Sequence, residues 1–121
     1  MLNCLAVGLG GFVGSILRYL IGLIELKESL VFPVKTLAIN VIGAFAIGII
    51  TAFALKQSSL DPRLVLFLKV GICGGFTTFS TFALESVQLF QSGKGVMAVA
   101  YMALSAVLCV LAVLGAEALI K

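Results

Sequence analysis

The sequence predicts an all-α membrane protein that crosses the bilayer four times and forms a single transmembrane domain over residues 1–121. Of its 121 residues, 62% are hydrophobic and 11% are charged, whereas an average soluble domain is roughly half apolar and about a quarter charged. A chain this small would expose much of its apolar surface in water, which excludes a soluble globular protein. Four apolar stretches each approach or exceed about 20 residues, enough to cross roughly 30 Å of hydrocarbon.

Short polar segments separate the four predicted spans. Asp61 followed by Pro62 is typical of a helix start. The first apolar run has no Lys or Arg before it and no small-residue cleavage site after it, so we expect it to remain as a span rather than to be removed as a signal peptide. Both termini and the central loop then lie on one side of the membrane. The expected helices cover residues 2–24, 36–55, 62–90 and 96–120.

The composition excludes several classes of function. The chain has no histidine, and so it has no histidine base, catalytic triad or zinc–histidine site. Cys4, Cys73 and Cys109 are far apart and form neither a C-x-x-C motif nor a disulfide framework. Without a nucleophile–base pair or a metal-ligand set, no enzyme is expected. The net charge of +3 is ordinary for a membrane surface, and we expect no nucleic-acid partner.

The third span is unusual because it combines glycines with clustered hydroxyl residues. Gly71, Gly74 and Gly75 precede a Ser/Thr-rich run that ends at Thr81. Both features weaken a helix, so we predict a break over residues 74–81 at mid-membrane depth. Breaks at that depth are tolerated when they face protein or a water-filled path, and their freed backbone groups commonly form ion sites. Close small-residue helix packing is an equally good interpretation of the same pattern.

The first span carries a charged residue on a face of small residues. Gly10, Gly14, Arg18 and Gly22 recur at every fourth position and therefore share one helical face. The glycines allow another helix to approach closely. An arginine inside a span faces a cavity or partner and attracts anions, unless its side chain extends to the nearer interface at Ile24.

Two further helical faces carry polar groups. In the second span, a stripe of small and polar residues from Thr36 to Ala52 includes Asn40, whose amide offers two N–H donors and one acceptor oxygen. In the fourth span, Tyr101, Ser105 and Cys109 form a hydroxyl and thiol track at i, i+4 and i+8. Each set is interpreted either as contacts to a substrate or as hydrogen bonding between helices.

Aromatic and acidic residues continue the third span after the predicted break. Phe79 and Phe82 are three residues apart and face the same side of a resumed helix. Their positively polarised ring edges are able to line a path for a small anion, although ordinary core packing explains them as well. Glu85 continues this face, either as an interface carboxylate, as a residue at the mouth of a pathway, or as a partner of Lys94 or Arg18.

Three motifs together resemble the Fluc (CrcB) family of fluoride channels. Residues 71–85 read GICGGFTTFSTFALE and resemble that family's third-helix signature. Residues 10–19, GGFVGSILRY, resemble its Gly-Gly-x-x-Gly-x-x-x-Arg pattern. Residues 36–40, TLAIN, match its Gly-Thr-Leu-x-x-Asn element, except that Lys35 stands where glycine is usual. The resemblance covers the whole chain in motif order.

The resemblance implies a passive fluoride channel in the cell membrane that exports fluoride and protects the cell from its toxicity. It also implies an antiparallel, dual-topology homodimer with two pores, in which Arg18 lies near an aqueous vestibule. A structural sodium ion would be held at the dimer centre by the carbonyl oxygens of Gly74 and Thr77. Cys109 stands where a hydroxyl is usual. The implied pore residues are Asn40, Phe79, Ser80, Thr81, Phe82, Tyr101 and Ser105.

The charge balance agrees with insertion in both orientations. The side with the termini carries three cations, or four if Lys69 is included, and the other side carries three, so the bias that orients membrane proteins is almost absent. These cations are Lys56, Arg63 and Lys121 on the first side and Lys27, Lys35 and Lys94 on the second.

Two other functions remain as alternatives. One is a small four-helix multidrug exporter, which would need a membrane-embedded carboxylate that the first span lacks. The other is a non-conducting scaffold subunit of a larger membrane complex.

Overall fold

A computed structural model describes residues 1–26 and 31–121. All of the regular secondary structure in these residues is helical. Four helical segments in it are long and apolar enough to cross a membrane, which confirms the predicted all-α class and the number of spans. Residues 27–30 of the first predicted loop, which include the cation Lys27, lie outside the described residues. The helices are α1 (Leu2–Gly22), α2 (Val34–Lys56), α3 (62–76), α4 (Phe79–Gln91) and α5 (Gly95–Ile120).

The third span consists of two helices, α3 and α4, joined by two extended residues. Thr77 has φ −78° and ψ 158°, and Thr78 has φ −148° and ψ 116°. The break therefore occupies residues 77–78 and is narrower than the predicted 74–81. Gly74 and Gly75 remain helical, because a glycine lowers helix stability without forcing the chain out of the helix when packing holds it in place.

Within α3, eight residues from Leu66 to Cys73 form a π-helix. π-Helical turns are rare and commonly occur near functional sites. Here the wide turn leads directly to Gly74 and the break. Asp61 starts α3 as predicted, since its Oδ1 accepts a hydrogen bond of 2.9 Å from the backbone N–H of Arg63.

Glycines bring α1 and α3 into backbone contact. A Cβ atom at Gly10 would lie 2.8 Å from Gly71 Cα, and one at Gly14 would lie 2.8 Å from Phe76 N. A Cβ atom at Gly75 would lie 2.6 Å from Gly11 O. The small-residue face of α1 therefore packs on α3, as the spacing predicts.

Lysines at the two ends of α2 tie it to its neighbours. Lys35 Nζ donates to the carbonyl oxygens of Gly22 and Ile24, at 2.9 and 3.0 Å. At the opposite end, Lys56 Nζ donates to the carbonyl oxygen of Ile120 at 3.0 Å. The acceptors lie at or just beyond the C-terminus of a helix, where carbonyl groups have no partner within the helix.

The outer surface of the bundle is apolar. Large hydrophobic side chains on every helix are exposed, including Phe12, Leu55 and Val96. A small buried cluster around Leu89, Ala98 and Tyr101 closes the end of the bundle near Phe32. Such a surface is stable in a bilayer and would associate in water. The chain is accordingly a multi-pass membrane protein.

Candidate functional site

Asn40 of α2 holds the break in the third span in place. Its Oδ1 accepts a hydrogen bond of 2.9 Å from the backbone N–H of Thr78, and its Nδ2 donates to the Thr78 carbonyl at 3.1 Å. The side-chain amide thus pairs with both backbone groups of one extended residue, as a neighbouring β-strand would. One Nδ2 hydrogen remains after these two bonds.

Threonines satisfy further backbone groups on both sides of the break. Thr77 donates from its N–H and its Oγ1 to the Cys73 carbonyl, at 3.0 and 2.9 Å. Thr78 Oγ1 accepts a bond of 3.2 Å from the Thr81 N–H and bonds to Thr81 Oγ1 at 3.0 Å. The hydroxyls therefore end α3 and cap the start of α4.

Two carbonyl oxygens at the break remain available. The hydrogen bonds found between described residues give no donor to the carbonyl of Gly74 or Thr77. Gly74 is exposed, and a Cβ atom there would meet nothing within 4 Å. Carbonyl oxygens are suitable ligands for a hard cation. The described chain has no cluster of three or more His, Cys, Asp or Glu residues that could hold a metal ion.

A cavity of about 470 Å³ lies beside the break and opens at the surface of the subunit. Its wall combines neutral hydrogen-bonding groups with phenyl rings and small residues. No charged side chain is among its described lining residues. Six of the predicted site residues line it: Asn40, Gly74, Thr77, Phe79, Phe82 and Ser105.

Aromatic side chains continue from this cavity into the bundle. The ring centroids of Phe79 and Phe82 are 5.4 Å apart, and those of Phe82 and Tyr101 are 5.2 Å apart. Phe32 meets Tyr101 edge-on at 5.5 Å. Phe79 is 81% exposed in the isolated subunit, whereas Tyr101 is fully buried. Phe79 thus lies at the open side of the cavity and is the ring with the least support from its own chain.

Ser105 supplies an unpaired hydroxyl to the cavity. The residue is only 7% exposed, and its Oγ has no hydrogen-bond partner among the described residues. A buried hydroxyl without a partner costs free energy, which indicates that something else satisfies it. An acceptor that enters the cavity would do so.

A second cavity, of about 390 Å³, also borders the break, where Thr78 and Thr81 line it. Arg18 lines it and donates from Nε to the Gly75 carbonyl at 3.2 Å. Lys35, Thr81 and Glu85 line it as well. Thr78 belongs to the walls of both cavities, so both border the break.

Several predicted residues lie elsewhere. Ser80 is exposed and lines neither of these two cavities. Tyr101 lies behind Phe82, where its hydroxyl donates to Glu85 Oε1 at 3.1 Å. The partner that the structure gives Glu85 is therefore Tyr101 rather than Lys94 or Arg18. A Cβ atom at Gly22 would meet nothing within 4 Å, so this glycine does not extend the packing face of α1.

Sequence reasoning missed Thr78, which pairs with Asn40, caps α4 and borders both cavities. The signal for it was present, because Thr78 and Thr81 have the spacing at which an N-cap hydroxyl reaches the backbone N–H of the third helical residue. Cys73 was missed too. Its carbonyl receives both Thr77 bonds and its side chain reaches the cavity.

The chain is similar to one known family over almost its whole length. Residues 5–116 match the family described as "CrcB-like protein, Camphor Resistance (CrcB)". A protein of Ruminiclostridium cellulolyticum, named "Fluoride-specific ion channel FluC", is 46% identical over 100% of this chain and 94% of its own length. Proteins with the same name from Rhizobium meliloti and Chlorobaculum tepidum are 40% and 45% identical, over 100% and 85% of this chain and 98% and 82% of their own lengths.

Proposed function

The chain belongs to the CrcB family, and on that premise we propose that it is a fluoride-selective channel that exports fluoride by passive electrodiffusion. The relatives cover almost the entire chain under the name of a fluoride-specific ion channel. The observation that carries the proposal is the unpaired Ser105 hydroxyl in a cavity of neutral donors and phenyl rings. As a channel, the protein is not an enzyme.

The groups that line the first cavity would replace the water molecules around a fluoride ion. Fluoride is small and strongly hydrated, so a pore must replace its water with donors. The Ser105 hydroxyl, the remaining N–H of Asn40 and the polarised ring edges of Phe79 and Phe82 would supply them. The lack of a cation among the described lining residues suits conduction, since binding must be weak enough for the ion to leave.

The path that we propose passes from one cavity to the other at Thr78. On one side, Arg18 attracts anions in the vestibule, and Thr81 offers a hydroxyl on the way to the break. On the other side, the rings and Ser105 receive the ion. Ser80 and Tyr101 would act as supporting polar groups, with Tyr101 oriented by Glu85.

An antiparallel homodimer of dual topology would complete the pores in the cell membrane. The first cavity is open at the subunit surface, and Phe79 is largely exposed. A second copy, related by a two-fold axis in the membrane plane, would cover this face and bring the two breaks together at mid-depth. Lipid would then contact the remaining apolar surface.

A structural sodium ion fits the dimer centre. Among the described residues, no donor reaches the carbonyl oxygens of the exposed Gly74 and the extended Thr77, and two subunits would contribute two pairs of them. Bound there, sodium would hold the two breaks in register. Complete replacement of sodium by a large organic cation should dissociate the dimer and abolish flux. Unchanged dimer stability and flux would remove sodium from the account.

Fluoride efflux from liposomes that contain only this purified chain tests the function. A fluoride-selective electrode should record efflux at zero pH gradient, with no matching efflux of chloride. Absence of flux would favour the scaffold, and strict dependence on a proton gradient would favour the exporter. Phe82→Ile should lose most of the flux because it removes the ring edge. Phe12→Ile, at a side chain exposed on α1, is the matched control and should retain it.

A further inference from the structure

Lys35 lines the second cavity but has no role in the pathway proposed above. It is the second residue of α2, and its ammonium group donates to two carbonyls at the end of α1, at 2.9 and 3.0 Å. The same side chain lines the cavity that holds Arg18. Two hydrogen bonds fix the charge at this wall instead of leaving it on a freely moving side chain.

The charge of the cavity depends on this lysine. Its described lining contains two cations, Arg18 and Lys35, and one carboxylate, Glu85. With both lysine and arginine present, these groups sum to one positive charge. Without Lys35 they sum to zero. The lysine therefore decides whether the described wall of the cavity attracts anions at a distance.

We propose that Lys35 is an anion-recruiting residue, which concentrates small hydrated anions in the second cavity before they reach Thr78. The effect of Lys35 on transport rests on the proposed channel function. The recruitment of anions by Lys35 does not depend on that function. A unit charge at 4 to 8 Å in water changes the local concentration of a monovalent ion by about two- to fivefold. The effect should disappear as salt shortens the Debye length from about 30 Å at 0.01 M to about 3 Å at 1 M.

Lys56 provides a matched control within the same helix. It also donates to a carbonyl at the C-terminus of a neighbouring helix, Ile120, at 3.0 Å. It lies at the other end of α2 and lines a different cavity, with Glu117 and Lys121. Replacing Lys56 thus removes a comparable contact without changing the charge beside Arg18.

The first experiment measures anion recruitment independently of transport. The chain has no tryptophan, and Tyr19 is 66% exposed and lines the same cavity. Tyr19→Trp therefore places a single fluorescent reporter there. The purified variant, in neutral detergent, is titrated with iodide as an anionic quencher and with acrylamide as a neutral one.

Adding Lys35→Met to this variant should reduce quenching by iodide about two- to fivefold at an ionic strength of about 0.01 M. Quenching by acrylamide should not change, and the difference in iodide quenching should vanish near 1 M salt. Lys35→Arg and Lys56→Met should behave like the parent. Equal iodide quenching with and without Lys35→Met would overturn the proposal. So would an equal loss of acrylamide quenching, because it would mean that the cavity had closed.

The second experiment asks whether recruitment serves transport. Fluoride efflux from liposomes should be about two- to fivefold slower for Lys35→Met than for the natural sequence at low ionic strength, and equal at high ionic strength. Lys56→Met should match the natural sequence in both. Equal flux at low ionic strength would overturn the role of Lys35 in transport. Absence of flux from the natural sequence would instead contradict the proposed channel.

Discussion

The side-chain amide of Asn40 makes the contact between helices that the sequence offered as one of two alternatives. Its paired bonds to Thr78 make it a contact between helices, at a separation of 38 residues in sequence. It also lines the first cavity with one N–H to spare. The helical stripe predicted either a contact to a substrate or hydrogen bonding between helices. The pairing depends on where the third span breaks, which local spacing does not fix to a residue.

Replacing Asn40 by aspartate should abolish fluoride flux at neutral pH. In Asn40→Asp, one oxygen still accepts from the Thr78 N–H, but the other faces the Thr78 carbonyl, and no donor remains for an anion. The lost bond should also destabilise the fold by about 1–3 kcal/mol. Asn3→Asp is the control, because Asn3 Oδ1 only accepts a bond of 3.4 Å from Arg63 near the α1 start. Normal flux in Asn40→Asp would limit Asn40 to helix contact.

Removing the Ser105 hydroxyl should separate activity from stability. Because Oγ of Ser105 has no partner in the described chain, Ser105→Ala should unfold at the same temperature as the natural protein or a higher one. Flux should nevertheless fall, since the cavity loses a donor. Ser86→Ala serves as the control, as that hydroxyl donates to the Phe82 carbonyl at 2.8 Å within its own helix. Full flux in Ser105→Ala would exclude this hydroxyl from the pathway.

At the scale of the helices, Gly71 and Gly75 of the third span serve packing and the threonines form the break. From the sequence, glycines and hydroxyl residues were both expected to contribute to the break, because either residue type weakens a helix. Gly71 and Gly75 instead admit the backbone of α1. Thr77 and Thr78 leave the helix because Cys73, Asn40 and Thr81 satisfy all of their polar groups except the Thr77 carbonyl. The π-helix over Leu66–Cys73 has no local sequence signal that we identify.

Close packing of α1 on α3 should make Gly10 intolerant of a larger residue. In Gly10→Ala, the new methyl group would lie 2.8 and 2.9 Å from backbone atoms of Gly71 and Ile72, which are unable to move independently. Overpacking of this kind costs about 1–3 kcal/mol. Gly8→Ala, where a Cβ atom meets nothing within 4 Å, should be neutral or stabilising. Thermal unfolding in detergent, followed by circular dichroism, measures both. Equal melting temperatures would refute the contact.

At the scale of the whole molecule, the apolar spans were predictable from composition because each must cover the same hydrocarbon thickness. The helices as described begin and end at residues 2–22, 34–56, 62–91 and 95–120. Composition does not predict that the first cavity is open at the subunit surface, the face that a second copy covers in the proposed dimer. The exposed Phe79 and Gly74 both line this cavity.

Dual topology predicts that the protein is labelled from both sides of the membrane. Ser92, exposed just after α4, is changed to cysteine in a background without Cys4, Cys73 and Cys109. About half of the copies should react with an impermeant thiol reagent from outside intact cells, because the nearly balanced loop charges give little orienting bias. Two lysines added after Lys121 should shift the labelling to one side. Labelling from one side alone in the original sequence would refute dual topology.

The central claim is that this chain alone conducts fluoride passively and excludes chloride. The most direct measurement is the reversal potential of the purified protein in a planar bilayer. One side holds fluoride, and on the other side fluoride is ten times more dilute and chloride replaces the rest. A fluoride-selective pore should keep the current reversing near the fluoride equilibrium potential for that gradient, about 59 mV, at any pH gradient. A reversal potential near zero, one that follows the proton gradient, or the absence of current would contradict the account.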